Sequence, residues 1–244
     1  PPNPNPRKIV ASALECPDVT GLPHVAVLGM DAATAAATIS LVDGGLAVTV
    51  YSPGHVPPAA HARLTAYGCA DRVVAVSTDT LRLAAGSAAA PPFEVHGARA
   101  DSQTSAASAA PAAAGAEAGD LLGVFDAVVL GDGTDRLGPG GPGSPRFSRV
   151  FDLAAAWVFH VGGSPELAGA QGRWIGEYLR GRYAPPEPAA MSARPALLGR
   201  SVRGGVRAEL AELDRELRAG HARAARTGYR LPTQPAPAAS TPTL

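Results

Sequence analysis

Gly29, Asp31 and Thr34 stand at the spacing of the three glycines in a dinucleotide-binding turn. In that turn the first glycine makes the bend, the second lets backbone approach a pyrophosphate, and the third lets helix and strand pack closely. Gly29 meets its requirement. Thr34 is small enough for the third position, and Ala33, Ala35 and Ala36 keep the segment slim. Asp31 departs from the pattern, because it sets a carboxylate where the pyrophosphate would lie. Two unit charges about 4 Å apart repel by roughly 1–4 kcal/mol in solvent-like to surface-like dielectric. Asp is also a strong helix N-cap and competes for the amides that would bind phosphate. The turn is therefore either a weakened, rearranged nucleotide site or the capped start of a purely structural helix.

Other residues with chemical potential gather at loop positions. An NAD-type site uses an acid at the end of its second strand to hold the ribose hydroxyls. The sequence offers Tyr51 and Ser52 there, with His55 and Arg63 downstream, a pattern that favours NADP over NAD. Asp132, Asp135 and Arg136 follow an apolar strand at its carboxyl end, where α/β sites form; they also read as ordinary turn residues in GDGTDR. The histidines at 24, 55, 61, 96, 160 and 221 form no metal-ligand spacing, and Cys16 and Cys69 lie in no metal or redox pattern. There is no G-x-S-x-G elbow, CxxC pair or Walker loop.

The elements that must position these residues follow from patterning. Residues 24–51 (HVAVLGMDAATAAATISLVDGGLAVTVY) read as strand, tight turn, helix, loop and strand, the size of a βαβ unit. A short helix is expected over 59–67 and a strand over 72–77. Residues 93–96 form one arm of a hairpin, and 125–131 a fully apolar, interior-type strand. A further strand spans 154–161 and a helix 167–183. A second helix covers 206–226, where Val206, Leu210, Leu213 and Leu217 recur at spacings of three and four. The alternation predicts an α/β fold, a Rossmann-like doubly wound parallel sheet with C-terminal helices.

Composition sets outer bounds. The 244 residues suffice for one real core. Lys and Arg balance Asp and Glu at 21 each, so no global field draws the chain to nucleic acid or an anionic membrane. No apolar run approaches the roughly 18–20 residues of a membrane span. With no signal-peptide core and two isolated cysteines, the expectation is a soluble, cytoplasmic protein. The chain begins at Pro1 and is expected to be a fragment or a processed product.

Several of these segments together resemble one family. FDAVVLGDGTDR (125–136) resembles the strand and "ATG" segment of flavin-containing monooxygenases and their Baeyer–Villiger relatives, D-x-V-V-x-A-T-G-Y-x-P. Strand 154–161, AGAQGRWI (168–175) and LRGR (179–182) resemble that family's closing strand and its E-L-Q-x-R-W helix with a G-[KR] end. The Pro-rich break, Met191 and the charged last helix resemble its tail. Gln171, Arg173 and Trp174 are the most specific part, and the likeness spans about residues 24–230. Here the ATG triplet is Gly131-Asp132-Gly133, and the family's first FAD-binding half is absent.

The resemblance implies NADP and FAD as cofactors, with hydride passing from NADPH to FAD and oxygen going to a small organic substrate. It divides the chain into an irregular lead-in (1–22), an NAD(P)-binding domain (23–119) with a disordered insertion about 100–119, return elements of an FAD-binding domain (120–185), and a Pro-rich break, helix and flexible tail (186–244). Cofactor contacts are expected from Gly29, Asp31, Thr34, Ser52 and Gly133, with Gly162 and Gln171 near the flavin. An N-terminal FAD-binding half would be supplied in cis or in trans. The alternative is a non-catalytic, degenerate Rossmann-like module with a structural or interaction role.

Overall fold

The computed structural model describes residues 21–77, 80–85, 91–99, 119–139, 141–193 and 205–230. The lead-in and the segment expected to be disordered lie almost wholly outside these residues.

The first unit forms as its pattern requires. Strand β1 (His24–Leu28) is buried beyond its first residue. Helix α1 (Ala32–Asp43) follows, then β2 (Ala47–Pro53), which pairs in parallel with β1 from His24↔Ala47 to Leu28↔Tyr51. After helix α2 (Pro58–Ala66), strand β3 (Val73–Val76) adds in parallel to β2. Strands β4 (Arg82–Ala85), β5 (Phe93–His96) and β6 (Leu121–Phe125) make a separate antiparallel sheet with β5 in the middle. It packs on the main sheet where Phe125 meets Tyr51 edge-on at 5.7 Å and His24 at 4.6 Å.

The chain then returns to the main sheet. Strand β7 (Ala127–Leu130) is wholly buried and pairs in parallel with β1. Strands β8 (Arg146–Phe147), β9 (Phe151–Asp152) and β10 (Val158–His160) complete a mainly parallel, seven-stranded sheet of order β3-β2-β1-β7-β10-β9-β8. The boundary expected near residue 119 is thus bridged by this sheet, because β1 on one side of it hydrogen-bonds β7 on the other. The architecture is Rossmann-like α/β. Strand order reverses between β1 and β7, and in such sheets the crevice beyond that point is where ligands bind.

Helix α3 (Pro165–Leu179) starts two residues earlier than its pattern predicts, because Ser164 caps it, accepting from the Leu167 amide, and Pro165 suits the first turn. It lies on α1 at backbone contact: a Cβ on Gly172 would sit 2.6 Å from the Ala37 carbonyl oxygen. The alanine-rich α1 is buried nearly all round because it is wedged between α3 and the sheet. Helix α4 (Pro188–Ala193) and the long amphipathic α5 (Gly205–Thr227) follow, and α5 docks on α3. Gly220 makes that docking close, since a Cβ there would meet the Tyr183 ring at 1.9 Å.

The strand expected over 154–161 shrinks to three residues. Asp152 Oδ1 accepts from the Ala154 and Ala155 amides at 2.8 and 3.0 Å, so the backbone turns there instead of extending.

Candidate functional site

Two cavities open at the carboxyl ends of the parallel strands, divided by Asp132. The smaller, of about 240 Å³, lies at the β1/β7 reversal against Gly29, Asp31, Pro53 and Gly133. The larger, of about 480 Å³, lies between the β10–α3 turn, the β8–β9 turn and α5.

Gly29 has φ +116°, a conformation that favours glycine, and its amide donates to the Tyr51 carbonyl at 3.0 Å. Asp31 and Thr34 then form a reciprocal capping box. The Thr34 amide donates to Asp31 Oδ1 at 2.7 Å, and the Asp31 amide donates to Thr34 Oγ1 at 2.7 Å. The Thr34 hydroxyl also donates to Asp31 Oδ1 at 2.6 Å. Two of the four free amides at the helix start are consumed this way. The Thr34 methyl fills the space beside the next strand, 2.3 Å from where a Gly131 Cβ would be.

A dinucleotide pyrophosphate does not fit this turn as built. The turn presents a carboxylate, half of its donors are occupied, and its cavity falls below the roughly 300–1,000 Å³ of ordinary ligand pockets. Ser52, expected among the NADP contacts, is enclosed at 1% exposure, with no partner for its hydroxyl among the described residues. Of the β2 end only Pro53 reaches the cavity, while the Tyr51 hydroxyl donates inward to the Leu122 carbonyl at 3.2 Å.

Gly162 and Gln171 do come together. The Gly162 amide donates to Gln171 Oε1 at 3.0 Å, so this buried glutamine, carried by α3, holds the β10–α3 turn. The room left by the missing Gly162 side chain is taken by Asp132, whose Oδ1 lies 2.3 Å from the position of a Cβ. Asp132 Oδ2 also accepts from the Gly163 amide at 3.3 Å. Gly133, at φ +81°, faces the smaller cavity.

A polar array that sequence reasoning missed borders the larger cavity through Asp135, Arg146 and His160. His160, 4% exposed, bonds Asp152 Oδ2 through Nε2 at 3.1 Å and Asp135 Oδ1 through Nδ1 at 3.0 Å. Arg146 sits 3.3 Å from the other oxygen of Asp135. Burial would push the Asp152 carboxyl up, yet hydrogen bonds from His160, Ser144 and the Ala154 amide outweigh it and hold the group below the usual aspartate range. A signal for the array existed: a histidine inside the otherwise apolar run AAAWVFHV.

The β8–β9 turn adds a second arginine. Ser148 and Arg149 both have positive φ, 49° and 62°, and the Val150 amide donates to the Phe147 carbonyl at 3.0 Å, which makes a type I′ turn. Arg149 projects from it to the larger cavity.

Asp135 alone of the three turn residues 132, 135 and 136 joins the histidine array, and Arg136 lines the smaller cavity. Among the described residues no group of three or more His, Cys, Asp or Glu is placed to hold a metal ion, and no helix is long and apolar enough to cross a membrane.

No protein-family profile matches the chain, and no curated protein matches it in sequence. Among solved structures it is similar to S-allyl-L-cysteine S-oxygenase from Allium sativum. The TM-score is 0.51 at 12% identity, over 71% of this chain and 80% of that one. At that identity the likeness is one of fold, a distant relationship in architecture to an S-oxygenase.

Proposed function

We propose that this chain is a dinucleotide-fold module of the flavin-monooxygenase type that does not hold its nucleotide by itself and has a structural or ligand-holding role. The Asp31–Thr34 capping box carries this reading, since it places a carboxylate and a methyl-bearing side chain where the fold's phosphate cradle would be. The test is a calorimetric titration of the whole chain with NADPH and, separately, FAD. The reading expects no heat of binding from a cooperatively folded sample. Micromolar affinity for either would overturn it.

A second reading is favoured by the fold likeness to an S-oxygenase of the flavin-dependent class. In it the chain is the NAD(P)-binding portion of a flavin-dependent, NADPH-using monooxygenase-like oxidoreductase, completed by an FAD-binding half in cis or in trans. Such a protein would oxygenate a small organic substrate. Recovery of FAD binding on adding that half would support this second reading against the first.

A further inference from the structure

We propose that the larger cavity binds a small zwitterion, an α-amino acid or a comparable amino carboxylate, with Arg149 taking the carboxylate and Glu209 the ammonium group. The cavity of about 480 Å³ lies in the range that holds small organic ligands. Most of its charged groups are already engaged. Asp135 is held by His160 and Arg146, and Asp132 accepts from the Gly163 amide. Arg149, on the β8–β9 turn, and Glu209, on α5, are different: among the described residues neither has an ion pair or a hydrogen bond.

These two charges of opposite sign belong to different walls of one cavity. Glu209 is half-buried, where an unanswered charge costs more than in open water and an arriving counter-charge is worth more. The first turn of the 15-residue α3 borders the same space and adds a field that favours a carboxylate. Val161, Leu167 and Val206 supply an apolar strip for the rest of the ligand. A plain anion would meet Glu209 and Asp132, and a plain cation would meet Arg149. A molecule carrying both ends answers both, which gives selectivity by repulsion as well as attraction. The Gly29 turn contributes no residue to this cavity, although Asp132 borders both and Gly162 and Gln171, expected near a flavin, line it.

The probes are L-leucine, N-acetyl-L-leucine, which lacks the ammonium charge, and L-leucinamide, which lacks the carboxylate. Each is titrated calorimetrically into the whole chain. L-leucine is expected to bind at least about tenfold more tightly than either derivative, the effect of one charge-assisted hydrogen bond. Glu209→Gln should abolish the preference over N-acetyl-L-leucine, and Arg149→Gln the preference over L-leucinamide, with circular dichroism and melting unchanged. Equal binding of the three probes, no binding to the parent chain at millimolar concentration, or preferences that survive both substitutions would each overturn the proposal. A stability coupling between Arg149 and Glu209 without amino-acid binding would do the same, by showing that they pair with each other.

Discussion

The two turns at the carboxyl end of the sheet are built in opposite ways. At the Gly29 turn the helix start is capped within three residues, by Asp31 and Thr34 on each other, with only the Gly29 amide reaching further, to the Tyr51 carbonyl. The cavity there is small and its cradle is closed. At the β10–α3 turn the partners come from far along the chain: Asp132 reaches Gly163, Asp135 reaches His160, and Gln171 returns to Gly162. That cavity is twice as large, and among the described residues Arg149 and Glu209 on its walls make no ion pair or hydrogen bond. On the proposed reading, a single local hydrogen-bonding motif closes the first crevice, while the residues around the second are held by partners from distant parts of the chain.

The sharpest way to break this contrast is to remove the anchor of the long-range side. Asp152→Ala leaves His160 buried with one partner gone, and loss of one member of a buried pair costs about 3–5 kcal/mol. Urea unfolding measures it, and a loss under about 1 kcal/mol would show that the array does not hold β9 to β10.

Next in size is the seam between the helices. Gly172→Ala forces a methyl against the Ala37 backbone, and overpacking of this kind costs about 1–3 kcal/mol. A melting temperature equal to the parent's would mean that α1 and α3 can separate freely.

The local side is tested with a pair of changes. Asp31→Ala should cost about 1 kcal/mol as a lost N-cap, whereas Asp31→Gly should cost only a few tenths. Asp31→Gly also frees the Thr34 amide and removes the carboxylate. If the capping box is what closes the cradle, NADPH affinity should rise in that variant; no gain would locate the obstruction in Thr34 or in the enclosed Ser52.

The smallest effect is a matter of pH. The Asp152 carboxyl is held below its ordinary value of 3.8, so below that value the unfolded chain binds the proton more readily than the folded one. Its stabilisation is present above that value and is lost as pH falls through the lower, folded value. Unfolding free energy measured from pH 5 downward should therefore decline more steeply in the parent than in Asp152→Asn.

Legibility in the sequence follows the same division. Residues 24–51 yield the strand–helix–strand unit because each boundary has a local cause: Gly29, the Asp31 cap and the Gly44-Gly45 stop. The amphipathic α5 is found within one residue at each end, since its repeat is self-contained. The strand around Val158 is overestimated because Asp152 diverts two amides that an apolar pattern cannot see. The His160 array is missed for the same reason. Its members lie 8 and 25 residues apart, and only the folded sheet brings them together. Of the three residues that are the most specific part of the family resemblance, Trp174 acts in packing and Gln171 in holding a turn.

Arg149 sets stability against selection. The second central position of a type I′ turn favours glycine, and an L-residue held there carries strain of order 1 kcal/mol or more. Arg149→Gly should therefore give a protein that melts higher, with a tighter β8–β9 turn and no cation at the cavity mouth. Selection for thermostability alone would remove this arginine, so recovering glycine at this position in such a screen would measure how much stability the chain forgoes to keep a positive charge at its open crevice.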